Sequence, residues 1–96
     1  MSLHAVMYRY ADEPDRLNEH RPLHKDYLAS LFEQGRIVVS GPLTDGAPAA
    51  LLILAADDAD HVAALLDPDP FWKLGLIADR QIRCWKPFFG AARLET

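Results

Sequence analysis

Two stretches carry the residues best suited to proton chemistry: "HRPLHKDYL", His20 to Leu28, and "DPDPFWKLG", Asp67 to Gly75. A histidine is the one side chain whose unperturbed titration falls near neutral pH, so it is the natural general acid or base. It works best when a carboxylate holds the second ring nitrogen, orienting the ring and stabilising the imidazolium formed when a proton is taken. Asp67 and Asp69 are available, each followed by proline. Both also suit an ordinary helix start, with the Asp side chain capping free backbone N–H groups and Gly75 ending the turn.

Pro22 fits the first position of a helix and forces its predecessor out of the α region, so a helix is expected from Pro22 to Gly35. His24 then falls in its first turn, on the apolar stripe with Tyr27, Leu28, Leu31 and Phe32, while Lys25, Asp26, Ala29 and Glu33 lie off it. A histidine on such a stripe is commonly a satisfied core residue. A first-turn position, where a helix packed on a sheet opens towards a cleft, shifts the balance to chemistry. The helix N-terminus would keep the ring neutral and a carboxylate would favour its cation, which together suit a base working near neutral pH. His20 and His24 have the i, i+4 spacing of paired metal ligands, but Pro22 is expected to break the register, and no metal site is expected. His4 reads as a strand residue and His61 as an exposed helix residue.

The remaining candidates each have two readings. Arg21 could meet an anionic substrate or make a surface ion pair. Ser40, Gly41 and Pro42 close a strand, and the glycine either lets a ligand approach the backbone or serves a turn. Phe71 and Trp72 could line a pocket or fill the core. No phosphate loop, dinucleotide fingerprint or nucleophile elbow occurs, so no cofactor is expected.

These residues need a scaffold. Short runs rich in β-branched or aromatic residues predict strands at Leu3–Tyr10, Arg36–Gly41, Ala49–Ala56 and Asp79–Phe88, the last ended by proline. Asp57–Asp67 opens with acids and places Val62, Leu65 and Leu66 on one side, predicting a second helix. A short helical turn follows in the DPDPFWKLG segment. The order β-α-β-β-α-β matches the ferredoxin-like split unit, an α+β fold with a four-stranded antiparallel sheet and both helices on one face. Its open face should be polar, yet Val6, Tyr8 and Tyr10 oppose Leu3, Ala5 and Met7. Likewise Ile37 and Val39 oppose Val38, and Leu51 and Ile53 oppose Leu52 and Leu54. With no spare helix to cover the second face, a homodimer through the open sheet face is expected.

Ninety-six residues, half of them apolar, suit a single domain spanning 1–96; a chain of this size buries only about 60–65% of its unfolded surface. Ten scattered basic residues against fourteen acidic ones give a net charge of -4. Neither nucleic acid nor an anionic membrane is an expected partner. Cys84 is alone and has no zinc-type spacing around it, which fits a reducing, cytoplasmic setting. Met1–Arg16 is charged by Arg9 and lacks a long apolar core, so it is expected to be part of the fold rather than a signal peptide or membrane span.

"RPLHKDYLASLFEQGRIVVSGPL" followed by "DPFWKLGLIADRQIRCWKPFF" resembles the YciI-like (YCII-related) family over nearly the whole chain. The shared pieces are an RPxHxxxL helix start, an SGP strand, a DPF segment and a final strand closing in K-P-F. The resemblance implies a ferredoxin-like fold that dimerises into an α+β barrel. It also implies a His-Asp dyad facing a cleft, which falls here on His24 and Asp69. Proton transfer on ring-derived compounds, by isomerisation or dehydrohalogenation, is the chemistry it suggests. The "TDGAPAA" loop is shorter than in family members with a longer connection between strands two and three. In the simple topology both helices are expected to start at the same end of the sheet, leaving Asp69 far from His24 unless Pro70–Gly75 carries the chain back. The expected function is therefore a cofactor-independent lyase or isomerase acting on a small organic ligand through His24. The rivals are a non-catalytic binding or accessory module and a purely structural dimer.

Overall fold

Alternate burial of His4, Val6 and Tyr8 along β1 (Ser2–Tyr10) is the period of two that a strand imposes on a chain with one covered face. The structure, a computed structural model, describes residues 1–94. After β1 come α1 (Pro14–Glu33), β2 (Ile37–Leu43), β3 (Ala49–Ala56), α2 (Ala59–Leu66), α3 (Pro70–Lys73) and β4 (Ile77–Trp85). A short 3-10 helix at Ala91–Leu94 closes the described chain. The strands form one antiparallel sheet in the order β2-β3-β1-β4, and the fold is α+β. Val6, Leu52 and Leu54 from the sheet meet Leu17, Leu31, Val62, Leu66 and Phe71 from the helices in a single core. No helix is long and apolar enough to cross a membrane.

Three sequence expectations are corrected. First, α1 begins at Pro14, and Pro22 lies inside it. Pro14 takes the helix-start slot that also suits Pro22, and Leu17, His24 and Leu31, seven residues apart, form one buried stripe along the longer helix. The carbonyl that Pro22 cannot satisfy belongs to Asn18, and both residues are exposed, so water can reach it. His24 therefore sits ten residues beyond Pro14, outside the reach of the helix-terminal field. His20 and His24 share a continuous helix after all, but among the described residues no three His, Cys, Asp or Glu side chains are grouped to hold a metal.

Second, Ile37 pairs with Leu54 whereas Val39 pairs with Ile53, a register shift at Val38. This bulge turns Ile37 into the core and Val39 onto the open face, so the two do not share a side. Beyond it β2 runs straight through Ser40, Gly41 and Pro42 instead of turning there. The strand is an edge strand, where a proline lacking its N–H is tolerated.

Third, the helices do not start at the same end. β3 is antiparallel to β1, and the contacts Tyr27 to Leu65 and His24 to Asp69 run in opposite chain directions. α2 therefore delivers Asp69 to the part of α1 that carries His24. The Tyr27 hydroxyl donates to the Leu65 carbonyl across this helix pair, and burial, then the nearby Asp69 charge, keeps the phenol above its ordinary pKa. Tyr27→Phe is expected to cost about 1 kcal/mol, the net worth of one such bond, read as a lower urea midpoint with an unchanged slope.

Met7, Val39, Leu43, Leu51 and Trp85 are between 36% and 48% exposed. By register and burial Met7, Val39, Leu43 and Leu51 lie on the face opposite the helices. That face is apolar enough to matter for assembly.

Candidate active site

Position 69 does two jobs with one carboxylate. As N-cap of α3, Asp69 accepts the Phe71 N–H on Oδ1 at 2.9 Å. Both carboxylate oxygens also lie against His24 Nδ1, Oδ2 at 2.8 Å and Oδ1 at 2.9 Å. The cap of α3 and the contact with His24, which compete as readings of the sequence, coexist in the fold. Asp69 is fully buried and His24 only 5% exposed, so water competes little for their hydrogen bond.

Packing holds the imidazole from another side. The Phe71 ring stacks on it, with centroids 4.0 Å apart and planes inclined by 7°, and Tyr10 meets both rings edge-on. With Nδ1–H donated to Asp69, the neutral ring presents a lone pair at Nε2. Nε2 has no protein partner among the described residues, and His24 forms part of the wall of a cleft of about 590 Å³. That volume lies within the usual range for small-molecule sites, roughly 300–1,000 Å³.

The cleft runs between α1 and the β2–β3 edge of the sheet. Arg21, His24, Lys25, Leu28 and Phe32 supply the helix side, and Ser40, Gly41 and Pro42 the strand side. Four of the expected ligand contacts, Arg21, Ser40, Gly41 and Pro42, thus line one space with His24. Phe71 does not: it is fully buried behind the imidazole and acts on it rather than on the cleft. Gly41 has open space where a Cβ would project, so its absence of a side chain is not demanded by protein atoms.

Tyr10 and Lys25 also line the cleft and escaped the sequence reading. Tyr10 sits at the end of β1 and reads as one more inward residue of the strand. Lys25 lies at the edge of the apolar stripe, and that edge is where the cleft opens. Burial, then the Asp69 charge, raises the Tyr10 phenol above its ordinary pKa, with Arg21 pulling the other way. Tyr10 is therefore a neutral hydroxyl at pH 7, able to donate.

Behind this pair, Arg80 clamps the segment that carries Asp69. It pairs with Asp67 at 2.9 Å and lies over the Trp72 ring at 3.7 Å, one contact on each side of Asp69 in the chain. Tyr8, opposite Arg80 in the sheet register, is pushed up by burial and by Asp69 and also stays protonated.

An antiparallel α+β sheet with its helices on one side, and a buried His-Asp pair at the wall of an open cleft, define the class. The YCII-related domain model matches residues 2–86, and the chain belongs to that family. Among solved structures the protein is similar to 5-chloro-2-hydroxyhydroquinone dehydrochlorinase (TftG) from Burkholderia phenoliruptrix AC1100, in complex with 2,5-dihydroxybenzoquinone. That likeness has a TM-score of 0.78 and 24% identity, and covers 90% of this chain and 95% of the other. An uncharacterized NIPSNAP domain protein from Burkholderia xenovorans is similar at a TM-score of 0.57 and 18% identity, covering 93% of this chain and 96% of that one. At these identities the likeness concerns the fold. No curated protein gives a significant match.

Proposed function

We propose that the protein is a small enzyme in which His24 moves a proton on a ring-derived organic ligand held in the cleft, with Asp69 and Phe71 fixing the imidazole. The supporting observation is the buried Nδ1-to-carboxylate contact of 2.8 Å on a histidine that also lines the cleft. Nε2 takes a proton from the ligand, the ring becomes an imidazolium, and the Asp69 carboxylate balances its charge. Returning that proton to a different ligand atom completes an isomerisation. In an elimination, a halide leaves with its bonding electron pair and the proton passes to solvent. Both outcomes need only a base with one free nitrogen.

The dehydrochlorinase likeness supports chlorinated hydroxyhydroquinones as the first compounds to try. Wild-type protein is incubated with 5-chloro-2-hydroxyhydroquinone, and chloride release is followed against a protein-free control. Enzyme-dependent chloride supports elimination. A compound bound with measurable affinity but recovered unchanged, across this and related chlorinated hydroquinones, would favour a binding module.

The working form is proposed to be a homodimer joined through the open sheet face. Leu51→Ala removes a half-exposed apolar side chain from each copy. It is expected to raise the dimer dissociation constant about tenfold by sedimentation equilibrium. A wild-type protein that stays monomeric at high concentration would remove the dimer from the scheme.

A further inference from the structure

We propose that the cleft beside His24 is built for an organic anion, a flat ring bearing a carboxylate or a phenolate that meets Arg21 and Lys25. The inference rests on the cleft being the ligand site proposed above, and it adds the charge of the ligand. Arg21 and Lys25 stand one helical turn apart on α1 and both line the cleft, whereas no Asp or Glu does. In a chain of net charge -4 this is a local reversal of sign. Among the described residues, the ion pairs engage Arg16, His20, His24, His61 and Arg80, so neither cation of the cleft is neutralised by a protein carboxylate. The Asp69 carboxylate is turned away, behind the imidazole and occupied by it.

The cations are also placed where they bear on the chemistry. The Arg21 guanidinium carbon lies 5.9 Å from the centroid of the Phe71 ring, which is itself stacked on His24. A negative group on Arg21 thus brings the remainder of a small ligand alongside the imidazole. Leu28, Phe32, Pro42 and Leu52 make the rest of the wall apolar, which suits a ring and penalises a second charge. Guanidinium and carboxylate or phenolate form charge-assisted hydrogen bonds, and they do so best in a partly desolvated cleft.

The test is calorimetric titration of the protein at pH 8 with two matched pairs of probes. Benzoate against benzamide isolates a carboxylate; 4-nitrophenolate against nitrobenzene isolates a phenolate. In at least one pair the anion is expected to bind about tenfold more tightly at low salt, with the advantage shrinking towards equality at 1 M salt. The preference is expected to vanish in the Arg21→Gln/Lys25→Gln variant, whose thermal midpoint checks that the fold is kept. Preserved preference in that variant, equal or tighter binding of the neutral member in both pairs, or no binding of any of the four probes at millimolar concentration would each overturn the proposal. Turnover is not read in this experiment. Anion binding in a protein that leaves every ligand unchanged would count against catalysis by His24 and not against the charge of the ligand.

Discussion

His24→Ala is expected to lower turnover by about 10²- to 10⁴-fold, the range that a positioned general acid or base contributes. The loss should fall on kcat more than on KM, because the imidazole lies at one wall of a cleft whose other contacts, from Arg21 to Pro42, remain. Removing a stacked ring from the wall of the cleft also leaves a space against Phe71, so a modest loss of stability accompanies the change. His24→Gln fills more of that space and provides the control. If both variants melt near the wild type and both are slow, the deficit is chemical. Equal turnover in wild type and variants, measured by chloride release, would remove His24 from the mechanism.

Asp69→Asn is the second large effect, and it separates orientation from capping. The amide keeps the size of the carboxylate, and its oxygen can still accept the Phe71 N–H, the bond that starts α3. It then turns its NH₂ towards His24 Nδ1, which must accept where it had donated, so the ring moves its own proton to Nε2. A base that carries its proton on the working nitrogen accepts nothing. The expected loss is on the order of 10³- to 10⁴-fold in kcat, with the fold retained, as for the corresponding change in a hydrolytic triad. Asp69→Ala is harsher because it takes away the cap and leaves buried Nδ1 unpaired. A cost of about 2–4 kcal/mol is expected in denaturant unfolding, from an unpaired buried donor together with a lost helix cap. Full activity of Asp69→Asn would reduce Asp69 to a cap.

How far these positions could be read from the chain depends on what each one depends on. The burial of His24 follows from a repeat of seven, Leu17, His24, Leu31, which is local and visible in the sequence. The start of α1 was not so visible, because Pro14 and Pro22 both satisfy the same local rule. The longer repeat, beginning at Leu17, was the signal that favours Pro14. The four strands are carried by β-branched and aromatic runs, but the bulge at Val38 is a property of pairing with β3 and leaves no mark on β2 alone.

The meeting of His24 and Asp69 needed only strand directions. Antiparallel pairing of β1 with β3 turns α2 against α1, and the end of α2 then lies beside the part of α1 that carries His24. Tyr10, Lys25 and the Arg80 clamp are different. Each acquires its role from neighbours far away in the chain, Arg80 across the sheet from Tyr8 and over Trp72, and no spacing rule connects them.

The central claim is that Asp69 holds the Nδ1 proton so that Nε2 is free to accept one. Nitrogen-15 NMR of the histidine side chains in wild-type protein and in Asp69→Asn tests it without a substrate. The expected spectrum has His24 protonated at Nδ1 with a strongly deshielded proton, a bare Nε2, and loss of that proton signal in the variant. A wild-type ring protonated at Nε2, or a spectrum unchanged by Asp69→Asn, would contradict it.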